Sequence, residues 1–203
     1  MIAIVNYGVG NLFSLSSSVR FLGINASITS DADEIKRADR IILPGVGAFE
    51  DARRKLEETG LVPVIKEETA SGKPLLGICL GMQMLFDLSH EYGRHKGLSL
   101  IGGEVVPMSE HITERVKIPH MGWNELKFKR SDPLFKYVNE GEYVYYVHSY
   151  YAKAVPESII ATSSYGGIEI TGAVGNGKIY GTQFHPEKSG ETGLKILKAF
   201  SEI

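Results

Sequence analysis

Pro74-Leu-Leu-Gly-Ile-Cys-Leu-Gly-Met-Gln-Met-Leu-Phe86 decides the fold. Its first six residues, Pro74 to Cys79, are apolar without alternation, the pattern of a strand covered on both faces. Gly77 and Gly81 bracket the cysteine, and the run from Gly81 to Phe86 predicts a helix. A buried strand that turns sharply into a helix is a βα unit. The same unit repeats upstream. Ile2–Val5 predicts a strand, and Asn11 is placed to cap a helix over Leu12–Leu22, closed by Gly23. Ile24–Thr29 and Arg40–Leu43 predict two more strands, the latter stopped by Pro44-Gly45. Helices are expected at Phe49–Glu58 and Val62–Ser71. Repeated units of this kind imply a mostly parallel sheet with helices on both faces.

Downstream of about residue 97 the pattern becomes β-rich. Glu104–Met108, Trp123–Phe128, Glu142–Tyr151, Ile159–Ser164, Gly172–Gly175 and Ile179–Phe184 read as strands. Asn176-Gly177 is a hairpin turn signal. Ser189–Ile203 predicts a final helix. The expectation is one α/β domain over residues 1–203, with a flavodoxin-like core and a β-rich second half.

Composition narrows the function. The chain has 203 residues, 43% of them apolar, and 22 basic against 24 acidic side chains. That is ample material for a core. The net charge of -2 lacks the basic excess of a nucleic-acid or membrane-surface protein. A single cysteine excludes an internal disulfide and a multi-cysteine zinc site. No metal and no cofactor are expected. There is no signal-peptide pattern and no run of about 18 apolar residues, so a soluble cytoplasmic protein is expected.

The chemistry starts at Gly77-Ile-Cys-Leu-Gly81, a thiol version of the nucleophile elbow. A sharp strand-to-helix turn exposes Cys79 at a helix start, where free N–H groups favour thiolate, and the Leu80 N–H points to where an oxyanion would form. A base is needed, and His185 in Gln183-Phe-His-Pro-Glu187 offers one. Pro186 keeps His185 extended, so Glu187 lies on the same side and can hold one imidazole nitrogen. Pro44-Gly-Val-Gly47 follows a neighbouring strand and offers a second oxyanion donor from Gly45, Val46 or Gly47. Gly8-Val-Gly10 fails as a dinucleotide fingerprint, because the third glycine would fall at Phe13. His90 and His95 read as loop residues, whereas His120 and His148 lie among aromatics and stay open.

These residues resemble the class I (triad) glutamine amidotransferases. The order of oxyanion loop, cysteine and His-x-Glu matches as well. Asn6-Tyr-Gly-Val-Gly-Asn11, Lys96–Ile101, Pro119-His-Met-Gly-Trp-Asn124, Val147-His-Ser-Tyr150 and Phe184–Ser189 narrow the likeness to the glutaminase branch of imidazole glycerol phosphate synthases. The resemblance implies that Cys79 attacks the side-chain amide of glutamine, that His185 moves the proton, and that Glu187 orients His185. It also implies that Gln83, Glu91, Ser149 and Tyr150 contact the substrate. The implied partner is a (β/α)8-barrel cyclase, forming a heterodimer in histidine biosynthesis, with Asn11, Met121, Trp123 and Lys188 at the interface. Tyr143, Tyr145, Tyr146 and Tyr151 are further aromatics that either serve that interface or fill the core. Two alternatives stay open: a glutaminase for another acceptor (pyridoxal phosphate, anthranilate or GMP synthesis), and a DJ-1-like or cysteine hydrolase using the same elbow.

Overall fold

At the centre of the structure, a computed structural model describing residues 1–203, lies the strand that ends at Cys79. In chain order the first half contains β1 (Ile2–Val5), α1 (Leu12–Phe21), β2 (Ala26–Thr29), α2 (Ala32–Arg37), β3 (Arg40–Gly45), α3 (Phe49–Glu58), α4 (Leu61–Ala70), β4 (Leu75–Cys79) and α5 (Leu80–Gln83). The second half adds β5 (Leu88–Ser89), β6 (His95–Lys96), β7 (Gly103–Pro107), β8 (His120–Glu125), β9 (Lys127–Phe128), β10 (Tyr143–His148), β11 (Tyr150–Ala154), β12 (Ile159–Tyr165), β13 (Ile168–Asn176), β14 (Ile179–Thr182) and α6 (Gly190–Glu202).

The main sheet has eight strands in the order β2-β1-β3-β4-β14-β13-β12-β9. The first five run parallel, and the last three extend the sheet antiparallel. β1 and β4 are buried along their whole length, as parallel strands covered on both faces must be. One face packs Leu15 and Val19 of α1 against Ile196, Leu197 and Phe200 of α6. The other packs Ile35, Phe49, Leu56, Leu61 and Ile65 from α2, α3 and α4. Two smaller sheets, β10-β8 and β11-β7-β5-β6, form the rest of the second half.

Four sequence expectations are corrected. The helix after the elbow is one turn, Leu80–Gln83, and does not reach Phe86. The Leu85 and Phe86 N–H groups donate three residues back, to the Met82 and Gln83 carbonyls, and the carbonyls of Met84, Leu85 and Phe86 accept from the N–H groups of residues 98–101, so the chain leaves the α-helical ladder here. β3 runs through Pro44 to Gly45. β1 has stopped pairing with β3 by that point, so the missing N–H of Pro44 breaks no ladder on that side. Residues 142–151 are not one strand: β10 pairs with β8 and β11 with β7, and Ser149 is the break. Asn11 stands before α1 without a side-chain capping bond; its carbonyl accepts from the Leu15 N–H instead. Two aromatics left between core and surface, Tyr146 and Tyr151, are core residues.

Candidate active site

Cys79 ends β4 with φ 55 and ψ −112, a left-handed-side backbone that a non-glycine residue rarely adopts. The neighbouring chain permits this turn only because Gly77 and Gly81 have no side chains. A Cβ on Gly81 would come within 1.9 Å of the Leu43 carbonyl oxygen, and one on Gly77 within 2.7 Å of the Gly81 oxygen. The elbow is thus pressed against β3, and Gly45 sits in register with Cys79. The strain at Cys79 is held by backbone packing on both sides.

His185 follows β14, which pairs with β4. Its N–H donates to the Tyr145 carbonyl at 3.0 Å. Its Nδ1 lies 2.8 Å from Glu187 Oε1, and both side chains are almost wholly buried. Nε2 has no hydrogen bond of ordinary geometry and interacts with Cys79. Burial disfavours the imidazolium, but the interactions with Cys79 and Glu187 outweigh it and push the His185 pKa up to about 10. Glu187 Oε2 is buried without a partner, so this carboxylate is committed to His185 alone.

A cleft of about 300 Å³ opens beside the sulfur. Val46, Gly47, Leu80, Gln83, Glu91, Ser149, Tyr150 and His185 all line it together with Cys79. Every sequence-predicted catalytic, oxyanion and substrate residue except Glu187 and Gly45 therefore reaches one cavity, and those two stand directly behind His185 and Cys79. Glu91 Oε2 accepts from the Phe49 N–H at 2.6 Å, which leaves the other carboxylate oxygen unclaimed by that contact. Burial raises the Glu91 pKa, with the Phe49 N–H and His95 opposing it. The Gln83 amide NH₂ donates to the Tyr150 carbonyl at 3.1 Å and to Gln183 Oε1 at 3.0 Å.

Two cleft-side features, Tyr92 and Gln183, were not picked out from the sequence, and a third, His148, is left open by it. Tyr92 lines the mouth with φ 53 and packs edge-on against Tyr150. His148 also lines the cleft and bonds His120 at 3.0 Å. Gln183 is fully buried, with its amide nitrogen 3.8 Å from the Cys79 sulfur. No local pattern marks Gln183, which stands at the bend that follows β14.

The residues expected at an interface are dispersed around this site. Met121 and Trp123 project from β8 and are 61% and 55% exposed. Trp123 packs over Gly190 and edge-on to Tyr145. Lys188 is exposed, with its ammonium 5.9 Å from the Tyr145 ring. Asn11 is half-buried before α1. Tyr143 is exposed and Tyr145 half-buried.

Residues 3–202 match the family described as glutamine amidotransferase class-I. The chain is 52% identical over its full length to a protein of Listeria monocytogenes serotype 4a named imidazole glycerol phosphate synthase subunit HisH, covering 96% of that protein. It is 49% identical, again over its full length and 95% of the other, to the protein of the same name from Bacillus cereus. Among solved structures, one described as a glutamine amidotransferase superimposes with a TM-score of 0.76 at 16% identity, covering 99% of this chain and 100% of that one. The structure of PurLQS from Thermotoga maritima gives 0.74 at 19% identity, covering 99% and 97%. At those identities the two structures speak for the fold.

Proposed function

The chain belongs to the class-I glutamine amidotransferase family, and from that premise we propose that it is the glutaminase subunit of an imidazole glycerol phosphate synthase. The observation that carries the chemistry is the single cleft in which Cys79 meets the buried His185–Glu187 pair. The choice of synthase rests on the relatives that are half identical from end to end.

In this reading the Cys79 thiolate attacks the side-chain amide carbon of glutamine. The oxyanion is met by the Leu80 N–H and an N–H of Gly45-Val46-Gly47. The His185 imidazolium gives its proton to the departing nitrogen, ammonia leaves, and a glutamyl thioester remains on Cys79. Neutral His185 then takes a proton from water, the water oxygen adds to the thioester, and glutamate and free thiolate result. Glu187 holds Nδ1 throughout, fixing the ring and supporting its charge. The NH₂ of Gln83 is already engaged by two acceptors, so its carbonyl oxygen is the end offered to substrate. Glu91 suits the substrate ammonium, and Ser149 and Tyr150 suit its main-chain groups.

Ammonia made here serves an acceptor elsewhere, and free ammonia would be protonated in water. A barrel cyclase seated over Asn11, Met121, Trp123 and Lys188 would enclose it. The whole chain, 1–203, acts as one domain in a cytoplasmic heterodimer. The test is Cys79→Ala in the assembled synthase. Glutamine-dependent synthesis should disappear, while synthesis from added ammonium salts continues. A Cys79→Ala complex that still uses glutamine would overturn the reading.

A further inference from the structure

The sulfur of Cys79 has one side-chain hydrogen-bond donor besides its base, and that donor sits at the end of a continuous chain of polar groups. We propose that Gln183 is the donor that holds the Cys79 thiolate, that its orientation is imposed by the Tyr150 carbonyl through Gln83, and that His148 and His120, on the inner face of β8, hold that carbonyl in place. This rests on Cys79 being the nucleophile.

The polarity of each link is determined. The Tyr150 carbonyl can only accept, so His148 Nδ1, at 2.8 Å, carries a proton. Burial lowers the His148 pKa to about 3, and that of His120 to about 4, so both rings are neutral near pH 7. His148 Nε2 is then an acceptor, and His120 Nδ1, 3.0 Å away, must donate to it. His120 Nε2 is left to accept from the Asn124 NH₂ at 3.3 Å. Asn124 cannot turn its amide over. Its oxygen accepts from the Glu125 N–H at 2.9 Å and its nitrogen donates to the Ser164 carbonyl at 2.9 Å.

On the cleft side the same Tyr150 carbonyl accepts from Gln83, whose NH₂ also donates to Gln183 Oε1. With its oxygen fixed there, Gln183 must turn its NH₂ to the sulfur. The reversed amide would set oxygen against thiolate and NH₂ against NH₂. A donor to sulfur stabilises thiolate over thiol. The titratable groups that interact with the sulfur are His185 and Tyr7. Tyr7 is raised by burial, with the Cys79 charge adding to it, and its hydroxyl donates to the Pro44 carbonyl at 2.7 Å. Tyr7 therefore offers the sulfur no proton, and Gln183 is the neutral donor that remains.

The chain begins where a partner would press. β8 alternates, with His120 and Asn124 inward and Met121 and Trp123 exposed. Pressure on the outer face bears on the residues that set the inner one.

Cys79 is the only thiol, so alkylation by iodoacetamide reads its thiolate fraction directly, on the free chain and without glutamine. Gln183→Met removes the donor at nearly constant volume, and the midpoint of the alkylation pH profile should rise by about one unit, the effect of one hydrogen bond to a charged group. Gln183→Glu should raise it further. His120→Phe, which keeps the stacking on Tyr146 and Tyr165, should shift it the same way by less. Thermal melts of each variant identify any that fail to fold, and the remaining variants carry the test. Unmoved midpoints in both Gln183 variants would refute Gln183 as the donor. A shift in those with none in His120→Phe would refute control from β8. Loss of the glutaminase reading itself would instead show as a wild-type chain that alkylates normally but releases no glutamate with its partner present.

Discussion

Trp123 is the one tryptophan of the chain, and its 55% exposure on β8 makes it the strongest single test of where a partner sits. A tryptophan side chain offers up to about 250 Å² for burial, so just over half of it leaves about 140 Å² facing solvent. If a partner covers that area, the hydrophobic term at about 25 cal/mol per Å² is about 3.5 kcal/mol, or about three hundredfold in Kd. Ordering costs at an interface reduce such figures, so Trp123→Ala should weaken association with the partner subunit by between about ten- and a hundredfold. The isolated chain should lose little stability, because more than half of the side chain faces solvent and the ring packs edge-on against the half-buried Tyr145. Titration of the partner, followed by the emission of Trp123 and by calorimetry, measures both quantities. Association should shift that emission to the blue. Binding within threefold of the wild type, or emission that does not move on assembly, would refute the placement of the interface on β8.

Two further outcomes follow from the geometry. Gly81→Ala should be severe, since its Cβ would meet the Leu43 carbonyl at 1.9 Å and neither backbone can yield without moving the elbow. A displacement of about 1 Å costs about a hundredfold in rate, and a kcat within threefold of wild type would show that the elbow tolerates it. His120 and His148 have folded pKa values of about 4 and about 3, below the unfolded value of about 6.5. The unfolded chain binds these two protons first, so their stabilisation is present above about pH 6.5 and is lost as pH falls through the folded values. Two protons give a slope of up to about 2.7 kcal/mol per pH unit. Urea midpoints between pH 4.5 and 6 should fall accordingly, and His148→Gln should remove about half of the slope. An unchanged slope in that variant would contradict the buried neutral pair.

The parallel half of the fold was legible because its signals are local. Phe49–Glu58 falls where the amphipathic pattern and the Pro44–Gly47 turn place it, and β4 follows from an unbroken apolar run. Cys79 and His185, which the structure brings to one cleft, could each be singled out from immediate neighbours, glycines for one and Pro186 for the other. The misreadings share a different cause. The run Gly81–Phe86 looks helical, yet its last three carbonyls are taken by a segment 13 to 16 residues away. The apolar run at 142–151 changes sheets at Ser149 because two different strands compete for it. α2 was missed since it buries only Ile35 and so shows no periodicity; its start rests on Asp31 accepting from the Asp33 and Glu34 N–H groups. Gln183 escaped notice for the same reason, since its meaning lies in Gln83, 100 residues away.

Those long-range links also explain how a chain with so short a helix at its nucleophile can activate a thiol. A single turn, Leu80–Gln83, supplies little dipole. Activation has to come from side chains instead, and these arrive from the other half of the chain. His185, the proposed base, stands just past β14, whose Thr182 pairs with Ile78 beside the elbow. Gln183, the proposed donor, stands between Thr182 and His185. The carbonyl that orients Gln83 belongs to Tyr150, at the start of β11. The proposed base and the proposed Gln183 donor thus come from the β-rich half, while the parallel half supplies the sulfur, its strained turn, Gln83 and the Gly45–Gly47 loop. The β4–β14 pairing is therefore the element on which both halves of the chemistry depend. Any partner that shifts the second half against the first, through β8 or the start of α6, acts on thiolate, base and substrate amide together. That arrangement suits a glutaminase whose product is useful only when another active site is ready for it.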